Sequence, residues 1–285
     1  MSGVKGLKLT PDLKERWEAI QAGEIEPVKP RDAATVVVLR DHPRHGLQAF
    51  MLRRVSSMAF APGAYVFPGG SVDPRDGDVG IGWAGPDAAA WGEAFGADEA
   101  VARGLVCAAV RETFEETLVL LAGPTTDSVV ADTRGEDWEA DRRALLDRSQ
   151  SFARFLARRG LVLRSDLLRP WDHWITPEVE NRRYDTRFFV AAIPEGQRAR
   201  DVSTEADTAV WVRPAEAMER ARAGEWFLLP PTLATLHSLT AYDTVADVLA
   251  AEREITVHAP YTEIIDGEAY LVLPEDTARF YPGVV

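Results

Sequence analysis

Glu112, Glu115 and Glu116, with Arg111 beside them, are the residues whose types and spacing could do chemistry. They sit in the run Arg111-Glu112-Thr113-Phe114-Glu115-Glu116-Thr117. That run follows an apolar-periodic stretch from Val101 and is free of Gly and Pro between Leu105 and Ala122, so it reads as helix. Residues three and four apart are neighbours on a helix, which puts the three carboxylates on one face. Val106, Cys107, Val110, Phe114, Thr117 and Leu121 fall on the other, the face that can bury. Like charges at this spacing cost a helix roughly 0.2–0.5 kcal/mol per pair. A divalent cation would turn that repulsion into binding, and all-oxygen ligands suit Mg²⁺ or Mn²⁺. The competing reading is a solvated acidic face.

A helix of this kind needs something to hold its acidic face against a ligand. Tyr65-Val66-Phe67 reads as a strand, and Pro68-Gly69-Gly70 follows it. A glycine pair there lets backbone carbonyls and amides approach a ligand closely. Arg53 and Arg54, at the end of a second strand, are either substrate-facing cations or surface charges.

A strand, a Gly-Gly turn and a helix carrying Arg-Glu-x-x-Glu-Glu resemble the signature of the Nudix hydrolases. That pattern runs Gly, five residues, Glu, seven residues, then Arg-Glu-apolar-x-Glu-Glu-x-Gly-apolar. Gly70 stands as its first Gly, and Arg111, Glu112, Glu115, Glu116 and Val119 match its second half. Three positions depart from it. The distance from Gly70 to Arg111 is far too long, Thr113 replaces an apolar residue, and Leu118 replaces the second Gly. Counted back from Arg111, the first glutamate falls on Arg103, which leaves Glu93 and Glu99 of the insertion as candidate replacements. A long insertion inside the box is similar to the branch that contains the peroxisomal coenzyme A diphosphatase of animals. So are Leu52-Arg53-Arg54, Pro62-Gly63-Ala64, Trp174-Ile175-Thr176-Pro177, Arg183–Phe189 and Leu229-Pro230-Pro231.

The resemblance implies an α/β fold, a Nudix-type α/β/α sandwich around a mixed sheet. It implies hydrolysis of a diphosphate linkage with Mg²⁺ or Mn²⁺ held by Glu112, Glu115, Glu116 and the Gly70 carbonyl. Arg111 would orient Glu115, and Glu205, just before the strand Thr208–Val212, would be an extra ligand or the base, a helix glutamate being the alternative base. Arg53, Arg54, Gly69, Gly70 and Arg183 would meet the substrate. Coenzyme A or acyl-coenzyme A is the substrate the branch implies. ADP-ribose, NADH and dinucleoside polyphosphates are the alternatives, as is a catalytically silent nucleotide sensor.

The expected organisation is an N-terminal arm over 1–30, a hydrolase domain over 31–235 and a C-terminal extension over 236–285. The extension packs on the domain or on a second subunit, making a homodimer. Residues 71–100 are read as a lid-like insertion with a short helix near Pro86–Glu93. Residues 136–160 read as an amphipathic helical stretch whose polar face, arginines included, is solvated.

Composition bounds the rest. The 285 residues carry a formal net charge of −13, against the basic footprint nucleic acid attracts. No apolar run reaches the ~18–20 residues of a membrane span. A single cysteine excludes an intrachain disulfide and a cysteine-based zinc site. The first residues lack an apolar signal segment and the last are not a Ser-Lys-Leu address, so the expected compartment is the cytoplasm, with a small nucleotide as partner.

Overall fold

The β-branched run Thr35–Val38 lies inside the longest strand of the computed structural model, which describes residues 6–58, 61–200 and 205–278. In chain order, β1 (Gly6–Lys8) and α1 (Pro11–Gln21) precede that strand, β2 (Arg31–His42), and its hairpin partner β3 (Gly46–Arg54). Two short strands follow, β4 (Ala64–Val66) and β5 (Gly69–Ser71). After them come β6 (Trp83–Ala84), α2 (Ala88–Phe95), α3 (Glu99–Thr117) and β7 (Ala122–Gly123). The middle of the chain adds α4 (Glu136–Leu146), α5 (Phe152–Arg159), β8 (Val162–Arg164), β9 (Leu168–Ile175) and β10 (Tyr184–Ala192). The rest comprises β11 (Ala206–Val212), α6 (Pro214–Arg222), β12 (Phe227–Leu228), α7 (Pro230–Leu239), α8 (Val245–Ala250), β13 (Val257–His258), β14 (Tyr261–Ile265), β15 (Glu268–Val272) and α9 (Glu275–Ala278).

The large sheet is mixed, in the order β12-β4-β3-β2-β10-β9-β13, with β11 also on β3 and β5 also on β2. Successive side chains of a strand point to opposite faces. In β2, Ala34, Val36 and Val38 therefore pack with α3 and α5, while Val37 and Leu39 pack with α6, α7 and α8. Helices on both faces of a mixed sheet make the expected α/β/α sandwich. No helix among the described residues is long and apolar enough to cross a membrane.

The N-terminal arm and the C-terminal extension meet. β1 and β14 flank β15 in a separate three-stranded sheet, and β13 lies parallel to β9. The β14–β15 turn falls at Asp266-Gly267, both in the left-handed region, as a two-residue hairpin turn requires. Residues 1–5 and 279–285 of these segments lie outside the described residues.

Two expectations are corrected here. The stretch 136–160 is helical as expected, in two pieces, because Arg148 takes a positive φ of 61° and Ser151 caps the second, accepting from the Arg154 amide, but its polar face is not all solvated. One of its arginines, Arg142, is buried rather than solvated and donates to the Glu115 carbonyl at 2.9 Å. The insertion is not a lid. α2 lies where a short helix is expected, but it packs along α3, and Trp91 and Phe95 are buried against Phe189 of the central sheet. β6 pairs with β8, fastening the segment a second time. Trp91→Ala should therefore cost about 3–5 kcal/mol, a fall in melting temperature on the order of 10 °C. A melt within 2 °C of wild type would restore the lid.

Candidate active site

α3 is set in place by its ends. Asp98 caps the first turn by accepting from the Val101 amide, and Leu118 ends the last turn with a φ of 61°. This is the left-handed conformation that costs an ordinary L-residue about 1–2 kcal/mol. It explains why the family pattern has Gly there, and why the helix stops at Thr117 although the sequence offers no breaker before Gly123. Leu118 tolerates it as a fully packed core residue. Thr113, the other polar departure, is buried, and its hydroxyl donates to the Ala109 carbonyl at 2.7 Å.

The carboxylate face is not a solvated one. Glu115 is buried and Glu112 nearly so, and the cation that permits this is Arg111. Its guanidinium donates to Glu112 Oε1 at 2.8 Å, Glu115 Oε1 at 3.1 Å and the Ser71 carbonyl at 3.0 Å. Its other edge grips Asp76 with two parallel bonds, Nε to Oδ1 at 3.0 Å and Nη2 to Oδ2 at 2.9 Å. Bidentate guanidinium–carboxylate pairs fix geometry as well as contributing energy. Burial opposes the charge on Arg111, but Glu112, Asp76 and Glu115 outweigh it and hold the guanidinium protonated.

Asp76 is the residue that sequence reasoning missed. It is 1% exposed, at the end of a single 3₁₀ turn over Pro74–Gly77, and its side chain accepts from the Asp73 amide. The signal was present: Asp76 follows Gly70 by the five intervening residues of the family pattern. The insertion therefore begins after Asp76, and counting back from Arg111 crosses it. Glu93 and Glu99 are exposed, and Glu99 pairs with Arg103.

The glycine pair lies against the glutamates. β5 runs antiparallel to β2, with Gly70 opposite Ala34. The Gly69 amide donates to Glu116 Oε2 at 3.1 Å. A Cβ on Gly70 would stand 2.5 Å from Glu112 Oε1, so any other residue there would push that carboxylate from its place.

Charge is unbalanced on this face. Burial pushes the Glu112 carboxyl up to about 7, and Glu115 adds to the rise that Arg111 resists. Burial raises Glu115 as well. Glu116 is raised well above the usual range by burial and by Glu112, with a smaller push from Glu205 and opposing pulls from the Gly69 amide and Arg54. Glu205 is exposed at the rim, 4.0 Å from Arg54. The residues just before it, Asp201–Thr204, and Phe60 beside the glycine-bearing segment, lie outside the described residues. Arg53, the preceding residue of β3, points to the opposite face of the strand from Arg54 and bonds Asp207 at 2.6 Å. Arg183 is not brought to the carboxylates. Its guanidinium donates to the Thr176 and Val28 carbonyls and ties the β9–β10 connection to the segment before β2.

The donor set fits a hard divalent cation: three oxygen ligands on adjacent turns, drawn out of water, whose raised proton affinity marks a shortage of positive charge. Among the described residues no three such side chains already converge as an ion's ligands. Arg111 gathers Glu112 and Glu115, and the Gly69 amide holds Glu116.

Known proteins bear on the same residues. The family model of the NUDT19 Nudix domain matches residues 86–239, more than half of the chain. The acyl-coenzyme A diphosphatase NUDT19 of Homo sapiens is 26% identical over 244 residues, 73% of this chain and 64% of that protein. Its counterpart from Xenopus laevis is 24% identical over 237 residues, 70% of this chain and 62% of that protein. The chain thus spans under two thirds of the length of these curated relatives. A crystal structure of a NUDIX hydrolase from Alicyclobacillus acidocaldarius superposes with a TM-score of 0.66 at 27% identity, covering 80% of this chain and 98% of that one. With the glutamate helix inside that match, the chain belongs to the Nudix hydrolase family, in the group defined by the NUDT19 Nudix domain.

Proposed function

We propose that the chain is a divalent-metal-dependent diphosphatase of coenzyme A or acyl-coenzyme A. The observation that carries the reading is the Arg111 network. One guanidinium, anchored on buried Asp76, holds Glu112 and Glu115 beside a glycine strand whose amide holds Glu116. Three carboxylates kept out of water at this cost suit a site that receives positive charge. Glu112, Glu115 and Glu116 would hold Mg²⁺ or Mn²⁺, with the Gly70 carbonyl as a further ligand. When bound, such an ion supplies charge neutralisation on the phosphoryl oxygens and a lower pKa for water.

The remaining work falls to the chain. Water adds to one phosphorus, the bridging P–O bond breaks, and the products are an acyl-phosphopantetheine and adenosine 3′,5′-bisphosphate. Glu205, exposed beside Arg54, accepts the proton the water loses. Clustered carboxylates titrate as a set, so the base is a property of the group as much as of Glu205. Arg54, beside Glu205, meets the phosphates of the adenosine end. The names of the NUDT19 relatives support the coenzyme A substrate.

The test is turnover with Mn²⁺ and with Mg²⁺, with coenzyme A, acetyl-coenzyme A, 3′-dephospho-coenzyme A and ADP-ribose competing at equal concentration. Coenzyme A species should be cut fastest, and cleavage should stop on chelation. Faster cleavage of ADP-ribose or of the dephospho form would remove the 3′-phosphate from the recognition and coenzyme A from the proposal.

A further inference from the structure

A cavity of about 260 Å³ lies on the face of the large sheet away from α3. That is close to the smallest small-molecule sites, about 300 Å³. Strands β2, β9 and β10 and the start of α7 form much of its wall. Pro260, Leu271 and Leu273 of the C-terminal extension complete the lining. The glutamates of α3 take no part in it, because Phe188 of β10 faces the cavity while its neighbour Phe189 faces the α3 core.

Rings and aliphatic groups dominate the wall, among them Phe67, Trp174, Tyr184 and Phe188. The Trp174 indole N–H is already taken by Asp172 at 2.9 Å. One charged side chain stands among the described lining residues, the partly buried Glu180, and no Lys, Arg or His accompanies it. Among the described residues its carboxylate has neither a hydrogen bond nor an ion pair. Burial raises its proton affinity, and Arg16 of α1 opposes that without forming an ion pair. The carboxylate is thus short of positive charge in a wall that offers none.

Each class of ligand meets this wall differently. Glu180 repels an anion. A neutral apolar molecule would cut the carboxylate off from water and give it no partner, which is costly. A divalent metal ion would find one carboxylate where it needs about six oxygens. An organic cation satisfies both features, since its charge meets the carboxylate and its body meets the rings, whose faces attract cations. The net charge of −13 raises the local concentration of such a ligand.

We propose that this cavity is a second binding site, for a small amine with an apolar body, whose ammonium pairs with Glu180 while the body lies against Trp174, Tyr184 and Phe188. The site is separate from Glu112, Glu115 and Glu116 and stands whether or not coenzyme A is the substrate. Its lining joins the central sheet to the C-terminal extension, so an occupant also raises the melting temperature of the chain.

The experiment titrates the full chain with phenethylamine and with its uncharged counterpart phenethyl alcohol, read by saturation-transfer NMR at about pH 7, where the amine is protonated. The amine should bind at least about tenfold more tightly than the alcohol. Glu180→Gln should bring the two to within about twofold of each other. Thr186→Phe fills the cavity from a partly buried position and should abolish binding of both, with Leu271→Trp filling it from the extension should that variant fail to fold. Equal affinity of wild type for amine and alcohol, or no binding of the amine at about 10 mM, would overturn the site. An amine preference that survives Glu180→Gln would place the cation on other carboxylates, those of α3 included, and overturn it too. So would amine binding unchanged by a filled cavity.

Discussion

Glu116→Gln and Glu115→Gln, each made alone, should lower turnover by about 10²–10⁴-fold, the usual scale for loss of a positioned acid–base or charge-bearing group. The same substitutions should stabilise the metal-free protein. Each removes a carboxylate that burial holds above its ordinary pKa. A folded-state carboxyl raised in this way keeps its proton after the unfolded chain has released it. Stability therefore falls as pH rises from the unfolded value, near 4.5, through the folded one, and the full penalty remains above that. For Glu112 the window closes at about 7. Glu116→Gln should accordingly melt higher than wild type at pH 8 in chelator, by on the order of 2–4 °C for each kcal/mol relieved. The advantage should shrink as pH falls toward 4.5 and vanish below about pH 4, where wild type is protonated in both states. Kinetics and melts on the same samples check the two halves together. Near-wild-type turnover in either variant would remove that glutamate from the reaction, and a lower melting temperature at pH 8 would mean that its hydrogen bonds outweigh its repulsion.

The sandwich and the glutamate helix were legible because both rest on local pattern. The β-branched run at Thr35–Val38 and the gap-free apolar periodicity before Arg111 need no tertiary knowledge. What was not legible depended on contacts across the chain. Nothing in the composition of Asp73–Asp78 says that Asp76 is buried, because its burial requires Arg111, 35 residues on, as its partner. The insertion looked like a lid because Gly, Asp and Ala dominate it. Two aromatic residues decide the matter instead, since Trp91 and Phe95 bury more apolar surface than the surrounding loop could hold apart. The polar face of α4 misled for a related reason. Arg142 has the same sequence surroundings as its solvated neighbours, and only the end of α3 beneath it supplies the carbonyl it caps. Arg183 shows the converse, a residue singled out by resemblance whose donors are taken up by backbone carbonyls.

Arg111→Met should have the largest effect on the fold of any single change at the site. The substitution keeps much of the side chain's bulk and removes the one charge shared by Asp76, Glu112 and Glu115. Their side chains are 2%, 14% and 6% exposed, so water cannot replace the guanidinium. Removing one partner of a buried ion pair costs about 3–5 kcal/mol, because the other charge is left uncompensated. Here three are left, and a fall in melting temperature of more than about 10 °C at pH 8 is expected. Lysine at this position should recover only part of the loss, since a single ammonium cannot grip Asp76 with two bonds while also reaching Ser71 and both glutamates. The decisive comparison is the pair with Asp76→Asn. If the buried negative charge is the cost, adding Asp76→Asn to Arg111→Met should raise the melting temperature, although Asp76→Asn alone lowers it. That sign reversal is a coupling of roughly 0.5–3 kcal/mol in a double-mutant cycle. Strictly additive losses would mean that Arg111 and Asp76 act on the fold separately, and the guanidinium would then no longer explain how Glu112 and Glu115 are aligned.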